Sequence, residues 1–338
     1  MKKLSLLLIG LLIIPSLLLT SCDRGDDIID SNATPAFTLM KEYMFTNNLD
    51  LDKVLKNNDI NFVAGAPIDA GAALDAFLAK YYIIDIRNSV DFGNGHIEGA
   101  KNIAFEDILT EAPNSAGKPI LVVCYTGQTA CYATSLLRMY DPEYSDTQAL
   151  KWGMSGWNPN TAGSWNNAIT ENPADGHTNW IFDNAPSTSV FSDPVLSSFS
   201  TDGAAILKDR VEEIVAGGFK GVDGIDVLTS PNNYFINNFC PSTDYLGFGH
   251  IDGAFNINPL LLADNSYQNL DPDLSAKVVT YCYTGQTSAV LTAWLRVLGY
   301  DAYSLRFGVN GLFNSNQAWS TNQWGVGSSV PKNLPLVN

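Results

Sequence analysis

Short apolar runs alternate with longer helix-like runs along most of this chain. Residues 81–86, 120–123 and 278–281 are almost continuously apolar, which is typical of strands buried on both faces of a parallel sheet. Two of these runs lead, through a short loop, into helix-like stretches at residues 130–140 and 288–298. The pattern therefore predicts strand–loop–helix units of the kind that build parallel α/β domains.

Three other stretches add to this outline. Residues 204–215 predict an amphipathic helix, because apolar side chains lie on one side and charged ones on the other. Residues 41–57 predict a further helix, packed on the first of the α/β domains. Residues 184–200 are rich in serine and proline and have no periodicity, so we expect a linker there.

The two strand–loop–helix units carry the same hexapeptide, Cys-Tyr-Thr-Gly-Gln-Thr, at residues 124–129 and 282–287. A Gly-His-Ile segment precedes each copy at nearly the same distance, beginning at Gly95 and Gly249. This spacing indicates a tandem duplication. We expect a first repeat at residues 37–183 and a second repeat at residues 201–338, with the linker between them.

The hexapeptide places a cysteine before a helix N-terminus. Backbone N–H groups in such a loop point inward at the positive end of the helix dipole. A cysteine there is expected to be stabilised as a thiolate, which is the nucleophilic form. Sulfur-based chemistry at Cys124 and Cys282 is therefore the leading hypothesis.

The order of motifs resembles the rhodanese family. Asp85-Ile86-Arg87 is followed by Asp91-Phe92, by the segment that begins Gly95-His96-Ile97 and by the Cys124 loop. The resemblance implies an α/β protein of two tandem rhodanese-like domains, each a parallel sheet flanked by helices. It also implies a sulfurtransferase in which the loop cysteine carries a persulfide, and a structural role for His96 and His250.

The same resemblance implies a set of site residues. Cys124 and Cys282 would be catalytic, with Asp85, Arg87 and Cys240 in support. The remaining loop residues would bind the substrate and the persulfide: Tyr125, Thr126, Gly127, Gln128, Thr129, Tyr283, Thr284, Gly285, Gln286 and Thr287.

The chain departs from the common rhodanese pattern in two places. Many active members have arginine where this chain has Thr129 and Thr287, and losing that charge-assisted contact would weaken anion binding by about 1.5–3 kcal/mol. This argues against thiosulfate as the donor more than against persulfide formation. A phosphatase reading is disfavoured for the same reason, since phosphoryl transfer needs that cation.

The second departure concerns Cys240. Alignment of the repeats puts Asn238 opposite Asp85 and Cys240 opposite Arg87. Cys240 is then either a small buried hydrophobic residue or a resolving thiol that forms a disulfide with Cys282 under oxidation. Cys131, two turns into the helix after Cys124, is expected to be buried and unpaired.

The first 21 residues resemble a bacterial lipoprotein signal peptide. Lys2 and Lys3 precede an apolar stretch that is short for a membrane span, and Leu-Thr-Ser-Cys ends at Cys22. An ordinary signal peptide is the alternative. We expect lipid on Cys22, a flexible tether at residues 22–36 and a membrane-anchored protein of the cell envelope, outside the cytoplasm.

Charge and composition limit the partners. The formal net charge of −16 provides no basic surface for nucleic acid. No cysteine or histidine cluster has metal-ligand spacing, so we expect neither a metal nor another cofactor. The expected partners are a small sulfur-containing substrate and the membrane, and no protein partner can be named. The alternative to a sulfurtransferase is a non-catalytic rhodanese-like binding module.

Overall fold

The computed structural model describes residues 35–338. The predicted signal peptide, Cys22 and nearly all of the predicted tether lie outside the described residues. Within the described residues, each repeat contains its own parallel sheet with helices packed around it.

The first repeat contains a five-stranded parallel sheet. The strands of this repeat, inside and outside the sheet, are β1 (Lys56–Asn57), β2 (Ile60–Asn61), β3 (Val63–Ala64), β4 (Tyr82–Asp85), β5 (Lys101–Asn102), β6 (Ile120–Val123) and β7 (Gln148–Leu150). Its helices are α1 (Ala36–Thr46), α2 (Leu51–Leu55), α3 (Ala72–Lys80), α4 (Ser89–Gly93), α5 (Ile108–Glu111), α6 (Gln128–Tyr140), α7 (Gly153–Trp157) and α8 (Gly163–Ala168). The sheet has the order β3-β7-β6-β4-β5, and β1 and β2 form a separate antiparallel pair.

The second repeat contains the corresponding sheet. The strands of this repeat are β9 (Gly221–Val222), β10 (Phe235–Asn238), β11 (His250–Ile251), β12 (Val278–Tyr281) and β13 (Ala302–Leu305), and β8 (Trp180–Ile181), at the end of the first repeat, pairs with β11. Its helices are α9 (Gly203–Ala216), α10 (Gly224–Thr229), α11 (Ser242–Phe248), α12 (Gln286–Leu298) and α13 (Gly308–Phe313). The parallel order is β10-β12-β13-β9, and a bridge from Asn237 to Phe255 takes the place of a fifth strand.

Short 3₁₀ helices connect some of these elements. They lie at Phe105–Asp107, Ala112–Ser115, Pro142–Tyr144, Pro159–Thr161, Pro231–Asn233 and Ser266–Asn269. The predicted linker, residues 184–200, contains neither helix nor strand.

The strands and helices around the two cysteines confirm the sequence pattern. Both β6 and β12 have the predicted bounds, and all of their residues are buried. Helices α6 and α12 begin two residues earlier than predicted, because Gly127 and Gly285 adopt positive φ angles of 86° and 73° and form the N-caps. The predicted α/β class with two parallel sheets is confirmed.

The single helix predicted at residues 41–57 is wrong. The chain forms α1 and α2 instead, with a break that includes Asn48 at a positive φ of 57°. The buried Asp50 carboxylate caps α2 through Leu51 N–H, and it also accepts bonds from Leu262 and Ala263 N–H at 2.9 and 3.0 Å. This segment therefore packs on the second repeat as well as on the first.

Helices α6 and α12 pack against each other at the centre of the molecule. Their apolar side chains belong to one continuous core that includes Leu136 from the first repeat and Trp294 from the second. The Ser135 hydroxyl donates to the Val290 carbonyl across this contact at 3.3 Å. Because the cysteine loops immediately precede these two helices, helix packing also fixes the loops relative to each other.

The segment that follows each repeat packs on the other repeat. Strand β8 pairs with β11 beside His250, and Val337 near the C-terminus forms the matching bridge with His96. Leu334 and Leu336 enter the core of the first repeat, next to its sheet. The predicted boundaries of the two repeats therefore stay a prediction. In the described residues, each repeat is held in part by the closing segment of the other.

Candidate active site

The Cys124 sulfur lies in a cradle of backbone N–H groups. Gly127 N–H donates to Sγ at 3.1 Å and Ala130 N–H donates at 3.3 Å. These donors come from the loop and the first turn of α6, as the strand–loop–helix pattern predicted. The cradle can hold a negatively charged sulfur atom in place.

The Cys282 sulfur has a closely related environment. Ser288 N–H, at the position of Ala130, donates to its Sγ at 3.4 Å. The Ser288 hydroxyl lies 3.8 Å from the same sulfur and 2.9 Å from the Ser304 hydroxyl. The second cradle therefore contains a side-chain hydroxyl that alanine cannot supply in the first.

Burial changes the expected protonation of Cys124. Both loop cysteines are only 3% exposed, and burial raises the pKa of the Cys124 thiol more than the N–H groups of Ala130, Thr126 and Gly127 lower it. The negative charge of Asp85 raises it further. Burial therefore opposes the stabilised thiolate expected at Cys124, because the sequence showed the N–H donors but not the depth of the sulfur.

Asp85 and Arg87 form a buried ion pair at the end of β4. Arg87 Nη2 donates to Asp85 Oδ2 at 2.7 Å and to the Gly95 carbonyl at 2.9 Å, and Nε lies 3.1 Å from both carboxylate oxygens. The two side chains are at most 2% exposed. The pair connects β4 to the Gly-His-Ile segment, so its charges are neutralised within the fold.

Asn238 and Cys240 replace this pair on an equivalent backbone. Cys240 N–H donates to Asn238 Oδ1 at 2.9 Å, as Arg87 N–H donates to Asp85 Oδ1 at 3.0 Å. The Asn256 side-chain amide donates hydrogen bonds to the carbonyls of Asn238 and Cys240. In the first repeat the Asn102 amide donates to the carbonyls of Asp85 and Arg87 in the same way. The structure thus agrees with the alignment of Cys240 with Arg87.

Each loop tyrosine is tied to a carboxylate at the rim of its site. The Tyr125 hydroxyl donates to Asp91 Oδ2 at 2.6 Å and accepts from the Asn88 amide at 2.7 Å. The Tyr283 hydroxyl donates to Asp244 in the same way. Burial and the carboxylate raise the pKa of both phenols, so they remain protonated donors at neutral pH.

A cavity of about 440 Å³ lies beside the first site. Asp91, Tyr125, Thr161 and Ser164 are among the residues that line it, and Leu336 from the C-terminal segment closes one side. Its lining is polar and contains a carboxylate, and its arginine, Arg87, is already paired with Asp85. Such a space suits a small uncharged or weakly charged substrate better than a dianion.

The glutamine of each cysteine loop makes a hydrogen bond to the other repeat. Gln128 Oε1 accepts from Phe307 N–H at 2.8 Å, and Gln286 Nε2 donates to the Thr126 carbonyl at 3.2 Å. Trp165 Nε1 donates to the same carbonyl at 3.0 Å. These glutamines were predicted to bind substrate. Their contacts with the other repeat could not be predicted from the sequence, because they depend on how the two repeats pack together.

The other predicted loop residues occupy two kinds of position. Thr284 and Gly285 are buried, while Thr129 and Thr287 are partly exposed at the start of α6 and α12. Four tryptophans pack in the interior and are at most 5% exposed: Trp152, Trp157, Trp165 and Trp324. Trp319 packs edge-on against Phe248.

The two histidines brace their segments, as predicted. His96 stacks on Phe92 and His250 stacks on Tyr245, with ring centroids 3.7 Å apart in both pairs. The His96 Nδ1 atom also lies 3.0 Å from the Phe92 carbonyl. Burial lowers the pKa of His250, which favours the neutral ring. Neither interaction pairs a histidine with a loop cysteine.

Within residues 35–338, no group of three or more His, Cys, Asp or Glu side chains could hold a metal ion. Over the same range, none of the helices combines the length and the apolar character needed to cross a membrane. Cys124, Cys131, Cys240 and Cys282 are all buried and free.

Comparison with known proteins agrees with this geometry. A rhodanese-like domain matches the chain twice, at residues 68–160 and 229–314. The thiosulfate sulfurtransferase GlpE of Shewanella oneidensis is 34% identical over 76 residues, which cover 22% of this chain and 73% of that protein.

Two solved structures are more distant. The thiosulfate sulfurtransferase of Pseudomonas aeruginosa has 15% identity and a TM-score of 0.29, over 86% of this chain and 49% of its own. The 3-mercaptopyruvate sulfurtransferase of Leishmania major has 15% identity and a TM-score of 0.26, over 73% of this chain and 72% of its own. The assignment therefore relies on the two matched domains, which span more than half of the sequence, and the chain belongs to the rhodanese-like family.

Proposed function

We propose that this protein is a sulfurtransferase that carries sulfane sulfur as a persulfide on Cys124, and in the second repeat on Cys282. The observation that supports this most directly is the pair of N–H groups, from Gly127 and Ala130, that donate to the Cys124 sulfur. A persulfide anion on this cysteine would need such donors, because it is formed in a site with little water.

The cycle has two steps. The Cys124 thiolate attacks a sulfane-sulfur donor, and the donor leaves with the electron pair of its broken bond. A thiol or a cyanide-like acceptor then attacks the outer sulfur of the persulfide and releases the cysteine, so that the kinetics are of the ping-pong type. Cys282 would follow the same first step in its own cradle.

The proposed donor is polysulfide-like. Arg87 is saturated by Asp85, and the loop has Thr129 where a cation would help to hold a dianion. Asp91 adds a negative charge to the cavity wall. The affinity for a thiosulfate dianion would therefore be roughly ten- to a hundredfold lower than in a site with a free arginine.

Intact-mass spectrometry tests the proposal directly. The mature protein and its Cys124→Ser and Cys282→Ser variants are incubated with polysulfide or with thiosulfate, and Cys131→Ala serves as a control for a buried cysteine outside the loops. We expect a gain of one sulfur per competent loop, lost on adding cyanide. If the reduced protein gains no sulfur from either donor, the result would favour the alternative, a non-catalytic binding module. The burial of both cysteine sulfurs is also consistent with that alternative.

We also propose that the protein is held on the bacterial cell envelope, outside the cytoplasm, by lipid on Cys22. The support is the sequence at residues 19–22 and the acidic tether that follows it. A Cys22→Ser variant is expected to move from the membrane fraction to the soluble fraction of cells that express it. Continued membrane association of that variant would contradict lipid anchoring.

A further inference from the structure

The second site contains a feature that simple persulfide transfer does not use, a second thiol. Cys240 takes the position of Arg87, and Asn238 takes that of Asp85, while the backbone bonds at this strand end are retained. The replacement therefore changes the chemistry of the site and leaves its framework in place.

The fold brings Cys240 close to Cys282. Strands β10 and β12 are parallel neighbours, with Asn238 opposite Tyr281, and Phe239 N–H continues the ladder by donating to the Tyr281 carbonyl at 2.8 Å. Neighbouring strands are about 4.8 Å apart. This register puts Phe239 opposite Cys282, and Cys240 lies one residue further along, where both chains have left the strands. With that spacing and a rise of about 3.3 Å per residue, a diagonal of about 6 Å would separate the two Cα atoms, which lies within the roughly 4.4–6.8 Å that a disulfide spans.

Electrostatics agree with this proximity. Burial raises the pKa of the Cys240 thiol most, and Cys282 and Asp244 raise it further, while Tyr283 lowers it. Burial and Asp244 raise the pKa of Tyr283, and Cys240 and Cys282 add to that shift. Cys240, Cys282 and Tyr283 thus lie in one cluster, in which the Tyr283 hydroxyl already donates to Asp244.

We propose that the second site is a dithiol site in which Cys240 resolves the persulfide on Cys282, releasing hydrogen sulfide and leaving a Cys240–Cys282 disulfide. This inference rests on the proposed function, because it starts from a persulfide on Cys282. The first site cannot follow this route, since Arg87 occupies the position of the second thiol.

The step balances without an external oxidant. The Cys240 thiolate attacks the inner sulfur, which is Cys282 Sγ, and the sulfur–sulfur bond of the persulfide breaks. Hydrosulfide leaves with the electron pair and takes the proton that Cys240 gave up. The sulfane sulfur is reduced by two electrons, and the two cysteines are oxidised to the disulfide. A dithiol reductant must then reopen the disulfide before the next cycle.

The two repeats would therefore deliver sulfur in different forms. The first site would transfer sulfane sulfur to an external acceptor, whereas the second would release it as hydrogen sulfide at the expense of a dithiol. This division explains why the cysteine loops are identical while the residues at 87 and 240 differ.

The test uses a Cys124→Ser background, so that only the second site can hold sulfur. The reduced protein is mixed with polysulfide, freed of excess donor on a desalting column and left without reductant. Hydrogen sulfide is then measured, and a non-reducing peptide map follows alkylation. Parallel samples carry Cys240→Ala, Cys240→Ser or the control Cys131→Ala.

We expect about one hydrogen sulfide per chain and a peptide that joins Cys240 to Cys282, both in the background protein and with Cys131→Ala. Both Cys240 variants should keep the Cys282 persulfide and release at least tenfold less hydrogen sulfide. A Cys282 persulfide that persists beside a free Cys240 thiol would overturn the inference and leave the proposed function intact. Absence of any persulfide on Cys282, even in the Cys240 variants, would overturn both for this repeat.

Discussion

Removal of one partner of the Asp85–Arg87 pair is expected to destabilise the protein far more than replacement of both. Arg87→Ala would leave the Asp85 carboxylate, which is completely buried, without its three guanidinium contacts. Breaking a buried ion pair in this way costs about 3–5 kcal/mol of unfolding free energy. Asp85→Asn would strand the Arg87 charge with a similar cost.

The second repeat supplies the matched double variant, Asp85→Asn with Arg87→Cys. An asparagine at 85 can accept the N–H of residue 87, as Asn238 accepts that of Cys240 at 2.9 Å. The double variant cannot replace the 2.9 Å bond to the Gly95 carbonyl, nor the longer bond of 3.4 Å to the Asp91 carbonyl. Leaving the Gly95 carbonyl unpaired costs about 1–3 kcal/mol, so the double variant should be more stable than either single variant.

Urea unfolding followed by tryptophan fluorescence measures these differences. With a slope of about 3 kcal/mol per molar urea, Arg87→Ala should lower the midpoint by about 1–1.7 M. Arg306→Ala is the control, because its pair with Asp223 is exposed and should contribute less than about 1 kcal/mol. A double variant that is no more stable than Arg87→Ala or Asp85→Asn alone would refute this expectation.

Four further results are expected. Gly127→Ala should lower the free energy of unfolding by about 1–3 kcal/mol and reduce persulfide yield, because φ is 86° there and a Cβ would lie 2.8 Å from Gln286 Nε2. Alkylation of Cys124 in a Cys282→Ser protein should still accelerate above about pH 8.5, since burial raises the thiol pKa, and a plateau near neutral pH would contradict this. The raised pKa of Cys124 also contributes to the free energy of unfolding. This contribution is complete below the ordinary thiol pKa and is lost as the pH rises through the pKa of the folded state. The wild type should therefore lose more stability at alkaline pH than Cys124→Ala. Asp50→Ala should lower stability by about 1.5–3 kcal/mol in thermal unfolding, because three N–H groups lose a charged acceptor.

The local units of the fold could be predicted because their signals are local. The apolar runs at β6 and β12 are buried over their whole length, so they show no alternation and their ends coincide with the ends of the runs. The cradle around Cys124 follows from a strand, a glycine turn and a helix start in sequence. The position of Cys240 could also be found, since the duplicated sequence supplied its own alignment partner in Arg87.

Features that depend on how the repeats meet could not be predicted. Nothing adjacent to Asp50 in the sequence indicates that its carboxylate bonds Leu262 N–H, more than two hundred residues away. Nor does the sequence of a glutamine show that its amide reaches the opposite loop. The burial of Cys124 could not be predicted for the same reason, because this residue belongs to the core that the packing of α6 on α12 completes, and burial there raises its pKa.

The exchange of closing segments connects these unpredicted features. Because β8 pairs with β11 and Val337 pairs with His96, the segment that follows each repeat is bonded to the Gly-His-Ile segment of the other repeat. The loops are then fixed from both directions, by the packing of α6 on α12 and by the glutamine bonds across them. A duplicated domain that is locked in this way can tolerate a change such as Cys240 at one strand end, because the other repeat holds that site in shape. Interlocking of the repeats thus provides a physical reason why two sites with identical loops can acquire different chemistry.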